Sequence, residues 1–324
     1  MSQPAEPSIA ALGGESLSRT LQRHWFAMRP AFLTAAVMPV LVGTAWGYSR
    51  AGELDWLAAL LALAATALVH GGTNVINDVG DEIGGSDRVN EQRIFPYTGG
   101  SRFIQNGVMS VAEMSRWGLT LVLAAVVLGI ALTLLKGPTV VVLGLIGVAL
   151  GALYSLPPFR LASRGLGEVA VATGLGFMPV MGATWLQTGS FDALTALVAV
   201  PTSMWVAAIL LINEVPDIAA DRQAGKRTVP VRIGVGATRV LYVALHALAT
   251  GAVAVLVLSA HLHWGALLLP VALLGLAIAA SGGISGDAGA RPQLRASIEK
   301  TLAIHAIGSL WVAVWCWFSL TGAP

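Results

Sequence analysis

The sequence predicts an all-α polytopic membrane protein, with nine transmembrane helices in a bundle around a central cavity open to the cytoplasmic face. Three observations lead there. Of 324 residues, 56% are hydrophobic and only 11% are charged, against about 25% charge in an average soluble domain. The apolar residues fall in unbroken runs of about 18 to 23, the length at which a helix crosses a bilayer core. The charges gather between those runs. A core of this size cannot bury so much apolar surface, so a water-soluble enzyme is excluded, as are disorder and collagen-like repeats. One cysteine, Cys316, excludes an intramolecular disulfide framework, and a net charge of +2 gives no reason to expect nucleic acid.

Read from the N-terminus, residues 1–24 form an expected flexible cytoplasmic tail. The first eighteen carry no lysine or arginine and no apolar core long enough for a secretory signal, so no cleavage is expected. One domain is expected over 25–320. Its first span, near 31–48, follows Arg19, Arg23 and Arg29 and ends at Trp46; the second, near 54–76, starts at Trp56. The third, near 117–135, begins with Trp117, after a loop holding Arg88, Arg93, Arg102 and Arg116, and Ser110-Val-Ala-Glu113 reads as the capping box ahead of it. The fourth, near 138–157, precedes Arg160 and Arg164; the fifth, near 166–186, ends at Trp185; the sixth covers 193–213. Arg222, Lys226, Arg227, Arg232 and Arg239 go with the loop before the seventh, near 237–259; the eighth, near 264–280, starts at Trp264; Arg291, Arg295 and Lys300 precede the ninth, near 301–320. Open sheet edges cannot exist in hydrocarbon, so runs this continuous are helices. Under this division only Arg50 and Lys136 lie on the opposite side from every other basic residue. That asymmetry puts the N-terminus in the cytoplasm and the C-terminus outside the cell membrane. The indoles at span ends fit headgroup level.

The acids cluster where two of these helices end, in the cytoplasmic loops 77–116 and 214–236. The first motif reads Asn74-Val-Ile-Asn77-Asp78-Val-Gly-Asp81, the second Asn213-Glu-Val-Pro-Asp217-Ile-Ala-Ala-Asp221. In each, an asparagine precedes an aspartate by four residues and another aspartate follows three or four later, which puts all three on one face of a helix end. Four spans separate the copies, as in a chain built from two related four-helix units plus a ninth helix. Clustered oxygen ligands suit hard divalent cations, and magnesium takes one or two carboxylates and completes its shell with water and phosphate oxygens. Arg102, Arg160, Arg164, Lys226 and Arg227, from three of the same loops, would meet the remaining oxygens of a diphosphate. The competing reading is of solvated loop charges in ordinary ion pairs. An aspartate near the bilayer core costs about 2.5–3.5 kcal/mol on insertion scales, so clusters at two helix ends need a reason.

These residues carry a resemblance. The paired asparagine and aspartate motifs, Ala224-Gly225-Lys226-Arg227-Thr228 after the second, and Tyr154 with the arginines after the fourth span resemble the UbiA-type intramembrane prenyltransferases over roughly 25–320. Three finer features resemble the branch that prenylates 1,4-dihydroxy-2-naphthoate in menaquinone synthesis: Met28-Arg29-Pro30 with Pro39 and Gly43; Gly99-Gly100-Ser101-Arg102 with Gly107, and Asp87 nine residues after Asp78; and Arg164-Gly165-Leu166-Gly167-Glu168. One departure is Glu214-Val215-Pro216, where that branch usually has a basic residue just before the aspartate.

The resemblance implies a transferase that moves a polyprenyl group from an allylic diphosphate to an aromatic acceptor, with two Mg2+ ions, the diphosphate at the cytoplasmic mouth and the tail among the apolar helices or in a lateral opening to membrane lipids. It assigns Asn74, Asp78 and Asp81 to one ion and Asn213, Asp217 and Asp221 to the other, with Asn77 and Asp87 as further candidates and the four aspartates Asp78, Asp81, Asp217 and Asp221 as the catalytic set. Beside them, His70 lies one turn before Asn74 and could orient the site, although a lone histidine inside a span is more often a packing residue. Tyr97 and Tyr154 could face a developing cation. Gly84-Gly85 and Gly99-Gly100 read as tight turns, and no Gly-Lys-Ser/Thr nucleotide loop is present. Other acceptors, such as 4-hydroxybenzoate, stay open. An ion-coupled transporter is the rival reading, but transporters place polar residues near the bilayer midplane, and here they lie at one face.

Overall fold

A computed structural model of the chain describes residues 5–85, 90, 92–155 and 157–319, and no strand occurs among them. The expected tail is instead folded over its described part. Helices α1 (Ile9–Leu12) and α2 (Leu17–Ala27) are capped by Ser8 and Ser16. Arg19 and Arg23 donate to the carbonyls of Gly13 and Gly14 at 2.8 and 2.6 Å. Arg93 reaches Glu6 at 2.8 Å, and Asn106 Nδ2 donates to Pro7 at 2.8 Å, so the segment lies against the loop after the second apolar helix. Hydropathy carries no signal for these polar contacts, made across long separations in the chain.

Arg29, in the left-handed region at φ 56°, turns the chain into α3 (Leu33–Ala51). Helix α4 (Trp56–Gly84) starts on Asp55, whose carboxylate accepts from Ala58 N and pairs with Lys136 at 2.8 Å. It runs past the expected end at 76 and carries the first acidic motif on its last turns. Helix α5 (Val111–Lys136) has the capping box expected at Ser110 and Glu113. Then follow α6 (Thr139–Ser155), α7 (Gly167–Val171), a π-helical stretch (Ala172–Phe177), α8 (Met178–Thr188) and α9 (Ala193–Asn213). The rest is α10 (Ile218–Gln223), α11 (Val229–Leu258), α12 (Leu268–Ser281) and α13 (Arg291–Phe318).

Eight stretches among the described residues are long and apolar enough to cross a membrane: Pro30–Ala51, Trp56–Gly84, Val111–Lys136, Gly167–Thr188, Ala193–Asn213, Val229–Leu258, Trp264–Ser281 and Arg291–Phe318. The expected fourth span corresponds to α6, an apolar helix of 17 residues, which at 1.5 Å per residue is about 25 Å long. The protein is an integral membrane protein.

Packing explains where glycine and tryptophan fall. A Cβ on Gly43 would stand 2.3 Å from Val180 O, and one on Gly176 2.3 Å from Ser203 Cα, so α3 lies tight on α8 and the π-helical stretch tight on α9. Trp46, expected at a span end, is fully buried and donates its indole N–H to Thr195 at 3.2 Å; Trp185 is buried as well. Trp56 and Trp264 are two-thirds exposed at helix starts, as an interfacial indole should be. Leu134, Leu145 and Val127 leave wide apolar faces on α5 and α6.

Candidate active site

A cavity of about 740 Å3 runs between α4, α5, α6, α8 and the end of α9. Its walls change character along its length. Val140 at the start of α6, Leu132 and Leu186 line one end, and Gly144, Val148, Gly174 and Met178 the middle. Asn74, Asn77, Asp81, Asn213, Asp217, Asp221 and Lys226 line the other, together with His70, Tyr97 and Tyr154. Both acidic motifs therefore face one space, although they stand on helices far apart in the chain.

The first motif is helical throughout, and its side chains are wired along α4. Asn77 Nδ2 donates to Asp81 Oδ2 at 3.1 Å and its Oδ1 accepts from Ser155 Oγ at 2.9 Å, which ties α4 to the end of α6. Asn74 Nδ2 lies 3.2 Å from His70 Nε2 and donates to Met28 O at 3.3 Å. Asp78 is buried behind the wall, where Oδ2 accepts from Ser101 N at 3.0 Å and Oδ1 lies 4.0 Å from Arg29 Nη1. The second motif is not the single helix face that its spacing implies. Asn213 ends α9, residues 214–217 form a turn, and α10 carries Asp221. Pro216 has no N–H to continue the helix and disfavours helical backbone at Val215, so the chain breaks there.

Lys226 joins the two motifs, with Nζ 2.6 Å from Asp81 Oδ1 and 3.8 Å from Asp221 Oδ1. Asn90 Nδ2 donates to Asp217 Oδ1 at 2.7 Å. Burial raises the Asp217 carboxyl above its ordinary range against the pull of Asn90, Thr98 and Lys226. Burial also lifts Asp221 to about 7, with Lys226 opposing and Asp217 and Asp81 reinforcing. Glu214, which also lines the cavity, is pushed well above its usual range by burial and by Glu168 beside it. Burial and Glu299 raise the Tyr97 hydroxyl, which donates to Glu299 Oε1 at 3.3 Å and so turns away from the acids.

No three His, Cys, Asp or Glu side chains converge into a ready metal cage among the described residues. What is present suits magnesium held partly by substrate: Asn213 Oδ1 and Asp78 Oδ1 are buried without a hydrogen-bond donor, and the remaining donors are oxygens of Asp81, Asp217 and Asp221. Asp87 lies outside the described residues.

The profile of the UbiA prenyltransferase family matches residues 36–304. The chain belongs to that family. It is 34% identical over 268 residues to the 1,4-dihydroxy-2-naphthoate octaprenyltransferase of Mycobacterium leprae, covering 80% of this chain and 86% of that one. It is 32% identical to the enzyme of the same name from Haemophilus influenzae, covering 70% and 74%. Its fold is similar to that of a UbiA homolog from Archaeoglobus fulgidus bound to GPP and Mg2+, with a TM-score of 0.63 at 17% identity and coverage of 93% and 100%.

In this UbiA-family chain the basic residues separate into two groups. Lys226 lines the cavity; Arg102, Arg160, Arg164 and Arg227 do not. Arg102 is buried, with φ 65°. Arg160 and Arg164 are exposed, Arg164 donating to Pro158 O at 2.8 Å, and Arg227 lines a separate basic recess with Arg222, Lys226 and Arg232. Arg29, counted among the topology charges and part of the Met28-Arg29-Pro30 resemblance, is not in the expected site set. It lines the cavity, donates to Tyr97 O at 2.7 Å and stands over the Phe32 ring. Asn90, Thr98, Glu168 and Glu214 are likewise outside the expected set. For Glu214 a signal existed in the departure Glu214-Val215-Pro216; for Arg29 it lay in its place just before Pro30.

Proposed function

We propose that the chain transfers a polyprenyl group from an allylic polyprenyl diphosphate to an aromatic acceptor, 1,4-dihydroxy-2-naphthoate, with release of diphosphate. One observation carries the reading: two asparagine and aspartate motifs from distant helices meet, with Lys226 between them, at the polar end of a cavity that is apolar for the rest of its length. That gradient matches an amphiphile with a charged head and a hydrocarbon tail. The naphthoate acceptor follows the names of the relatives; the Archaeoglobus homolog with bound GPP and Mg2+ supports the donor and the metal.

The residues divide the work by position. Asn74, Asp78 and Asp81 would hold one magnesium ion, and Asn213, Asp217 and Asp221 the other, with Asn77 and Asp87 as further candidates. Magnesium, when bound, neutralises charge on the departing diphosphate. Lys226 exchanges its carboxylate partners for phosphate oxygens, and Arg29 adds a second cation at the same end, so negative charge building on the leaving group meets fixed positive charge. Tyr154 presents a ring to the allylic carbon as its bond to oxygen breaks. The acceptor ring then forms the new carbon–carbon bond, and its carboxylate leaves as carbon dioxide. The apolar walls of α5, α6 and α8 hold the tail and keep water from the cation.

Both acidic helix ends share one space, which supports α4 and α9 running in the same sense with an odd number of crossings between them, and so α6 as a ninth span. Basic residue asymmetry supports a mouth and an N-terminus in the cytoplasm and a C-terminus outside. Purified protein, magnesium, labelled polyprenyl diphosphate and a panel of aromatic acceptors, with products weighed by mass spectrometry, test the reading. A prenylated naphthalenediol is expected. No covalent product with any acceptor, or flux across sealed vesicles instead, overturns it.

A further inference from the structure

Two buried carboxyl groups beside the acidic motifs have no part in the chemistry above. Glu168 opens α7 and Glu214 caps α9, each only 8% exposed. A Cβ on Gly167, the neighbour of Glu168, would lie 3.6 Å from Glu214 Oε1, so both acids belong to the contact between the start of α7 and the end of α9. Both Glu168 oxygens and Glu214 Oε2 are buried without a donor, and no salt bridge reaches either residue among the described ones. A buried acceptor left unmet is costly, and native structures rarely leave one without a partner. Glu214 also lines the cavity, whose walls include Ser163, Leu210 and Tyr154.

We propose that Glu214, held in place by Glu168, receives a hydroxyl hydrogen of the aromatic acceptor and selects for acceptors with a free hydroxyl next to the reacting carbon. The inference rests on the prenyl transfer reading above. Its chemistry narrows the occupant. Carboxyls packed in a pair repel a further carboxylate or a phosphate, so the donor's head and the acceptor's own carboxylate are directed to Lys226 and the metals, and the acceptor's hydroxyl edge is what meets the pair. A hydroxyl supplies a donor to Glu214 Oε2, which has none, without adding negative charge. A ring stacked near Tyr154 puts its edge at Glu214, on the polar side of the cavity where the allylic carbon must lie. Glu168 touches no substrate in this arrangement. It is a positioning residue, packed behind Glu214 where α7 begins.

The test uses the full chain in detergent with magnesium, geranyl diphosphate as donor, and two acceptors: 1,4-dihydroxy-2-naphthoate and its mono-O-methyl ethers. The unmodified protein is expected to favour the free diol over at least one ether by about 100-fold in kcat/KM, because a site built to bind a hydroxyl rejects the analogue that lacks it. Glu214→Gln, which can donate as well as accept, should raise the acceptor KM about tenfold and cut that discrimination to below about tenfold, leaving the donor KM unchanged. Glu168→Gln should move the acceptor KM the same way by less, again without moving the donor KM. Stabilisation by magnesium and geranyl diphosphate in a melting assay establishes that each variant is folded; should Glu214→Gln lack it, Glu214→Asp replaces it with the same expectation. An unchanged acceptor KM and unchanged discrimination overturn the proposal. So does a shift in magnesium dependence or donor KM, which would move Glu214 into the metal set. A protein that prenylates no aromatic acceptor at all refutes the transfer reading itself, an outcome distinct from either.

Discussion

Lys226 Nζ stands 2.6 Å from Asp81 Oδ1, an ion pair between the last turns of α4 and the loop after α10. This ammonium stands between the two facing acidic motifs, since Asp221 Oδ1 is 3.8 Å from it. With a diphosphate in place, the same ammonium would meet the negative charge of the leaving group. Lys226→Ala is therefore expected to lower kcat for the prenyl donor by about 100-fold, the size typical of a lost donor to a developing oxyanion, while the acceptor KM stays within about twofold. Arg116→Ala, on the exposed start of α5, serves as the control and should keep full activity. Equal damage in both variants would show that turnover follows total loop charge.

Removing a metal carboxylate should be more severe than removing the lysine. Asp217→Asn and Asp78→Asn keep shape and polarity but lose charge, and each is expected to cut product formation by 100-fold or more, about 3 kcal/mol at the transition state. Excess chelator on the unmodified protein should do the same, with readdition of magnesium restoring activity. Full turnover in either variant contradicts the two-motif assignment.

The helices were legible because hydropathy reports burial in lipid directly, and the two motifs because their side chains repeat at the same spacing along the chain. What pairs with what was not. Arg29 and Tyr97 meet across a chain reversal and a long loop, and a basic residue at the head of a span looks the same whether it anchors topology or lines a cavity. The second motif looked helical because spacing alone does not register that Pro216 breaks the ladder. Trp46 and Trp185 sit at span ends in the sequence, yet pack inward; the Trp46 indole N–H is met by Thr195 and so does not need the headgroup layer.

Proton uptake at the acids gives a pH dependence whose sign follows from burial. The folded protein holds the Asp221 proton up to about 7, whereas an unfolded aspartate gives it up near 3.8. Between those values the folded state binds more protons, so stability falls as pH rises through that window and levels off above it. Melting of the metal-free protein in detergent should decline from pH 5 to pH 7.5, and Asp221→Asn should flatten that decline. Magnesium with a diphosphate, which takes the deprotonated form, should stabilise more at pH 8 than at pH 6. A metal-free melting curve indifferent to pH in the unmodified protein would contradict this burial effect.

Packing makes a separate claim. Gly176 lies in the π-helical stretch against α9, where an added Cβ would stand 2.3 Å from Ser203 Cα, whereas Gly129 faces open space on α5. Gly176→Val should destabilise by about 1–3 kcal/mol, the usual cost of overpacking, and lower the melting temperature clearly. Gly129→Ala should be neutral to slightly stabilising, because alanine is the better helix former. The reverse order would mean that α9 and the π-helical stretch are not in contact.

The single-mouth arrangement is tested by where the loops stand. Gly85, after α4, and Gly225, after α10, flank the two acidic motifs, while Gly189, after α8, and His261, after α11, lie at helix ends that alternate with them. If α6 crosses the membrane, the first pair shares one side and the second pair the other, and the basic asymmetry makes the first side cytoplasmic. Cys316 is fully buried, so single cysteines can be introduced at each loop position without interference from the native thiol. An impermeant maleimide should label Gly189→Cys and His261→Cys in intact cells, and Gly85→Cys and Gly225→Cys only after permeabilisation. If α6 does not cross, the parity changes between α5 and α8, so Gly85→Cys and Gly225→Cys label from opposite sides. Both motifs could not then reach one diphosphate, and the shared cavity would have no mechanistic meaning.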